Sequence, residues 1–173
     1  MDALNNELRE TSIDKGLIQC ILGFLEEIGI SVTLGEVPKT TFLPGVLVDG
    51  PSLVVDLESL KFPGDLLHEA GHLAIMEPGR RQQCHGDISV DAGDELGAIA
   101  WSWAALKHLN LEPSVVFHSA GYKEDAEWLI ELFSSGGELG VPLLQWMGLT
   151  QSSRAAEESG SKPFPKMLRW LRE

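Results

Sequence analysis

His68-Glu69-Ala70-Gly71-His72 is the stretch of this chain whose residue types and spacing could do chemistry. On a helix each residue advances about 100°, so side chains four apart lie about 40° apart, one turn above each other. His68 and His72 would then project from one face, and two imidazole nitrogens could meet one ion. Glu69 lies one position round, within reach of a water on that ion but outside the histidine row. Two histidines at this spacing with a glutamate after the first are the pattern of a zinc site with a general base beside it. In such a site Glu69 takes a proton from the activated water, the hydroxide attacks a polarised carbonyl, and Glu69 returns the proton to the leaving amine. The competing reading is a pair of hydrogen-bonded histidines in a buried helix.

The flanks support a helix. Pro63-Gly64 reads as a turn and Asp65 as an N-cap. Leu66, Leu67, Leu73, Ile75 and Met76 make the segment strongly apolar, and Pro78-Gly79 stops it. Ionisable side chains in a helix this apolar need partners.

A zinc site of this type needs a third protein ligand and leaves the fourth position to water. Glu95 is the first choice, because it opens the next apolar helix, residues 94–108, where Glu95, Ile99, Ser102 and Leu106 share one face. Asp94, Asp91, Asp87 and His85 compete for the role from the preceding loop, although Asp91 or Asp94 is also needed as a cap. A donor for the oxyanion is required as well, and Tyr122 and His118 are the candidates by residue type. A zinc histidine donates its second ring N–H to a nearby acceptor, for which Asp56, Asp87, Asp91 and Asp94 are available. His108 falls opposite Glu95 on its helix and takes no role.

Periodicity gives the elements that must position these residues. Leu17, Ile18, Ile21, Leu22, Leu25 and Ile28 form an apolar stripe, so residues 1–29 read as helical, with Thr11 or Ser12 as cap and Gly29 as stop. Residues 30–34 alternate as a half-buried strand, and residues 45–48 and 52–56 make a hairpin around Asp49-Gly50 that Pro51 lengthens. Residues 79–90 are a polar loop, a wall or lid of the site. Residues 112–118 form a short helix, and 122–133 an amphipathic helix with Ala126, Leu129, Ile130 and Phe133 inward. Residues 141–147 are short and apolar, with Trp146 packed inside. Residues 151–162 read as a flexible connector to a C-terminal docking helix over 164–171. The expected fold is α+β and mostly helical, in one domain over 1–173, with a small antiparallel sheet or hairpin before the HExxH helix.

A net charge of −13 argues against a nucleic-acid partner, which would need a basic surface. No apolar run is long enough to cross a bilayer, and no secretory leader is visible, so no membrane association is expected. Two cysteines make no disulfide framework, and a reduced, cytoplasmic setting follows. Cys20 reads as a core thiol, and Cys84 sits beside His85 in the polar loop.

HEAGHLAI after a β-hairpin, followed by Glu95-Leu96-Gly97-Ala98-Ile99-Ala100, resembles the zincin metallopeptidases of the gluzincin type. Within them it is most similar to the minimal ImmA/IrrE-like metallopeptidase group. The resemblance covers roughly residues 45–106. It implies a zincin-like fold, His68, His72 and Glu95 as ligands of one Zn2+ per chain, and Glu69 as general base; the expected partner, apart from the resemblance, is a peptide or protein substrate. Residue 99 is Ile where that group often carries an aromatic. The expected function is a zinc metallopeptidase or amide hydrolase; the alternative is a non-catalytic zinc-binding regulatory or interaction protein on the same scaffold.

Overall fold

Helix α1 (Lys15–Glu27) begins where the carboxylate of Asp14 accepts the Leu17 N–H at 3.1 Å. This computed structural model describes residues 14–86 and 91–173. The expected helix over residues 1–10, the Thr11 and Ser12 caps and the candidate ligand Asp87 lie outside the described residues. Asp14 is the cap of α1. Ile18, Ile21, Leu22, Phe24 and Leu25 form the buried face. Cys20 lies off that stripe and is exposed, so it is not a core thiol. Gly29, at φ +91, ends the helix: its N–H reaches the Glu26 carbonyl and that of Ile30 reaches the Leu25 carbonyl, satisfying two otherwise orphaned acceptors.

The sheet contains β1 (Val32–Leu34), β2 (Val46–Asp49), β3 (Ser52–Val55) and β4 (His85–Gly86), in the order β1-β3-β2-β4. The expected β2–β3 hairpin is present, with Asp49 opposite Ser52, so Gly50 and Pro51 alone make its turn and Pro51 does not lengthen it. Gly50, at φ +59, supplies the positive φ that a two-residue turn needs. The sheet is mixed rather than antiparallel, because β1 runs parallel to β3. Alternating polarity fixes which face a strand buries; it carries no information about direction.

Helix α2 (Asp65–Ile75) follows, with almost every residue buried. Its N-cap is Gly64, without a side-chain cap; Asp65 is a buried member of the first turn. The chain leaves α2 through Met76 in an extended conformation. Pro78-Gly79 then opens a second short helix, α3 (Pro78–Gln82), as proline readily does at a first helical position. The polar stretch from 79 onward therefore carries α3 and β4 rather than being all loop. Helix α4 (Ala92–His108) is capped by Asp91, whose carboxylate accepts the Asp94 N–H at 2.8 Å.

Beyond α4 lie a 3-10 turn (Pro113–Val115), α5 (Ser119–Tyr122) and α6 (Asp125–Ser134). The single helix expected over 122–133 is broken at Lys123, whose φ is +51. Ala126, Leu129 and Phe133 face inward as expected. Helix α7 (Val141–Trp146) exposes Trp146 at 73%, against the expectation that it packs inside; the Arg172 guanidinium lies 5.1 Å from its ring. The Ser-rich segment 151–162 contains α8 (Ser153–Ser159), capped by Ser152. Residues 164–171 dock on the body but are not helical. Pro165 disfavours a helical conformation at Phe164, the residue before it. The segment is held by a bridge between Thr150 and Met167, by the Trp101 Nε1–H donated to the Trp170 carbonyl at 2.9 Å, and by the Arg172 N–H donated to the Ala74 carbonyl at 2.8 Å. Among the described residues no helix is long and apolar enough to cross a membrane.

Candidate metal centre

The side-by-side packing of α2 on α4 builds the site. Gly71 makes the approach possible: a Cβ there would stand 2.9 Å from the Ala98 carbonyl oxygen. Gly97 does the same from the other helix, where a Cβ would meet Ile75 at 2.9 Å. Ser102, fully buried at this interface, donates its hydroxyl to the Ala98 carbonyl at 2.8 Å. With the backbones this close, the first turn of α4 places Glu95 against the histidine row of α2.

Glu95 Oε2 lies 3.2 Å from His72 Nε2 and 3.7 Å from His68 Nε2, and the two Nε2 atoms are 3.0 Å apart. The rings of His68 and His72 are nearly perpendicular, at 89°. Among the described residues this trio is the one His/Cys/Asp/Glu group with ligand atoms close enough to share an ion. Its geometry can be tested against zinc: ligands about 2.0–2.1 Å from a tetrahedral ion are about 3.4 Å apart. The three observed separations bracket that value. Two imidazoles and a carboxylate are also a donor set zinc takes. The residues fit the ion.

The competitors among the described residues are otherwise engaged. Asp91 caps α4, Asp94 pairs with Arg80 at 2.9 Å, and His85 pairs with Asp49 at 2.7 Å on the exposed sheet edge. Asp56 is spent on its own turn, where it accepts from Ser59 and Glu58. None of the described carboxylates expected to hold a histidine's second nitrogen does so. Instead the Tyr122 hydroxyl lies 2.7 Å from His68 Nδ1. His72 Nδ1 is buried and has no hydrogen-bond partner among the described residues.

Electrostatics follow from burial. Desolvation, and then the neighbouring His72, hold the His68 imidazole down to about 4, so it is neutral and its lone pair is available at neutral pH. Burial pushes the Glu95 carboxyl up, but the hydrogen bond from His72 and the electrostatic attraction of the imidazole pair outweigh it and hold the carboxyl below the usual range. Burial, reinforced by the charges of Glu95, Asp65 and Glu69, raises the Tyr122 phenol, which therefore stays neutral. Glu69 is half-buried one position round α2. Its charge is felt at Tyr122 and at Cys84, whose thiol is raised first by burial.

His118 lies nearby with both ring nitrogens engaged. Its Nε2 is 2.8 Å from Asp65 Oδ1, and its Nδ1 accepts the Gly121 N–H at 3.1 Å. Its ring stacks on Phe62 with centroids 4.0 Å apart. Gly64 brings this segment in: a Cβ there would be 1.8 Å from the Val115 carbonyl oxygen. Asp65 is the site residue that sequence reasoning missed. The signal was its place in a row with His68 and His72, at i, i+3 and i+7, all within about 60° around the helix.

No family model, curated protein or solved structure matches the chain.

Proposed function

We propose that this chain is a zinc-dependent hydrolase of amide bonds, a metallopeptidase or amidase on a zincin-like scaffold, acting on a peptide or protein. The observation that carries the reading is the convergence of His68, His72 and Glu95 from two helices at ligand–ligand spacing, with Glu69 beside them. His68, His72 and Glu95 would hold the ion. When bound, zinc supplies Lewis acidity, making water a better proton donor and a carbonyl a better electrophile.

The remaining work belongs to the chain's own side chains. Glu69, half-buried and next to the histidine pair, accepts the proton of the attacking water and delivers it to the leaving nitrogen. Metal ligation through Nε2 requires the proton of His68 on Nδ1, so that N–H donates to the Tyr122 oxygen. The phenol lies beyond Nδ1, on the side of the ring turned away from Nε2, so it orients His68 rather than reaching the oxyanion that develops on the substrate carbonyl. His118 has both ring nitrogens engaged and offers the oxyanion none. The deep burial of His72 keeps bulk water from competing on the protein side of the site.

The test is cleavage of a peptide library by the zinc-loaded protein, with and without a chelator. Cleavage that the chelator abolishes and Glu69→Gln removes supports the reading. Zinc binding without cleavage of any library member replaces it with the non-catalytic alternative.

A further inference from the structure

Tyr122 reaches His68 from helix α5, a single turn ended by Lys123 at φ +51, with none of its residues fully buried. The Tyr122 ring packs against the core beside Phe117, with centroids 5.2 Å apart. His118 ties down the backbone of that turn. The imidazole stacks on Phe62, binds the buried Asp65 through Nε2, and accepts the Gly121 N–H through Nδ1. Because Nδ1 accepts, the ring proton is on Nε2 and points at Asp65. His118 Nδ1 thus ties down the residue next to Tyr122. Asp65 stands in the first turn of α2, in the same row as His68 and His72. One helix therefore carries the two histidines and the anchor for the residue that orients one of them.

We propose that Asp65 and His118 are a positioning pair that fixes the 118–122 turn, so that Tyr122 accepts the Nδ1–H of His68 and leaves His68 Nε2 free to bind a metal ion. This rests on the metal-centre reading and assigns its second sphere. Among the described residues His72 Nδ1, which is buried, has no such partner, so the anchoring they provide is on the His68 side. Loss of an outer partner of a metal-binding histidine lowers affinity by about 10- to 100-fold.

The experiment is zinc affinity by competition with a chromophoric chelator, together with nitrogen-15 NMR of the histidine rings, on the full chain. In the zinc-loaded wild type the His68 Nδ1 proton should be visible and slow to exchange. Tyr122→Phe, which keeps the ring packing, should weaken zinc binding about 10- to 100-fold and expose that proton to exchange. His118→Ala should do the same, and the double variant should be no weaker than Tyr122→Phe alone. Asp65→Asn keeps a carbonyl acceptor for His118 and should bind zinc nearly as the wild type does. A wild type that binds no zinc overturns the metal-centre reading itself. A wild type that binds zinc while Tyr122→Phe binds it equally well overturns the positioning role alone. So do additive losses in the double variant, or an absent His68 Nδ1 proton in the loaded wild type; the NMR result stands even if a variant fails to fold.

Discussion

Gly71 faces the main chain of Ala98 so closely that a Cβ would stand 2.9 Å from its carbonyl oxygen. The contact sets the depth at which α2 and α4 lock together, and with it the reach of Glu95 to His72. Gly71→Ala should therefore act on stability and on the site together. Overpacking against backbone costs about 1–3 kcal/mol, of which better helix propensity returns at most about 1 kcal/mol. We expect a net loss of about 1–2 kcal/mol in urea unfolding and a zinc affinity lower by on the order of tenfold. A variant with unchanged stability and affinity would show that the close approach is not needed.

The pH dependence of the metal-free protein should carry the signature of His68. Its folded imidazole is held down to about 4 from an ordinary value of 6.5. Between those values the unfolded chain binds a proton that the folded chain refuses, so stability falls as pH falls through this window. The loss should reach roughly 3 kcal/mol by the acid end, with no contribution from this group above about pH 7. Glu95, held below the usual carboxylate range, loses its contribution only at more acid pH. Denaturation of chelator-treated wild type and His68→Gln should give stability curves that converge from about pH 6.5 downward. Parallel curves would mean that His68 titrates normally.

Arg81 secures the far end of the site helix. Its Nε donates to the Leu73 carbonyl at 2.8 Å, and its Nη2 to the carbonyls of Met76 and Arg172, each at 2.9 Å. Those from α2 include acceptors that a helix end leaves without partners. Arg81→Ala should cost about 2–3 kcal/mol, since bonds to a charged donor are the stronger kind. A change of less than about 0.5 kcal/mol would place this guanidinium with surface charges of little consequence.

Replacing Glu69 with glutamine should separate binding from chemistry. Glu69 is not a member of the ligand trio, so zinc affinity should stay within a few-fold of the wild type. Turnover of any substrate found should fall by about 100- to 10,000-fold, the usual contribution of a positioned base. Unchanged turnover would remove Glu69 from the mechanism.

The histidine spacing, the β2–β3 hairpin and the carboxylate at the head of α4 were legible because each is a local pattern. HEAGH needs only the 3.6-residue period, and Asp49-Gly50 only the turn it favours. Gly71 was visible as a residue, but its purpose depends on Ala98, which no pattern within α2 names. Asp65 was read as a cap because it precedes an apolar run; its partner, His118, comes from a turn far along the chain. The tail over 164–171 has the spacing of a helix, yet its backbone is held by long-range bonds to Leu149, Thr150, Trp101 and Ala74 instead. Trp146 was expected to pack because its segment is short and apolar, yet it finds Arg172 at the surface. Periodicity identifies the buried face of an element, and long-range partners decide what its polar residues do.

Metal stoichiometry tests the central claim most directly. Metal-free full-length chain should be titrated with zinc against a competing chelator, in parallel with His68→Ala, His72→Ala and Glu95→Ala. The wild type should take up one zinc ion per chain, and each variant should lose most of that affinity while keeping its helical content. A wild type without affinity for zinc, or a His68→Ala protein that binds it as tightly as the wild type, would contradict the assignment of His68, His72 and Glu95 as a metal centre.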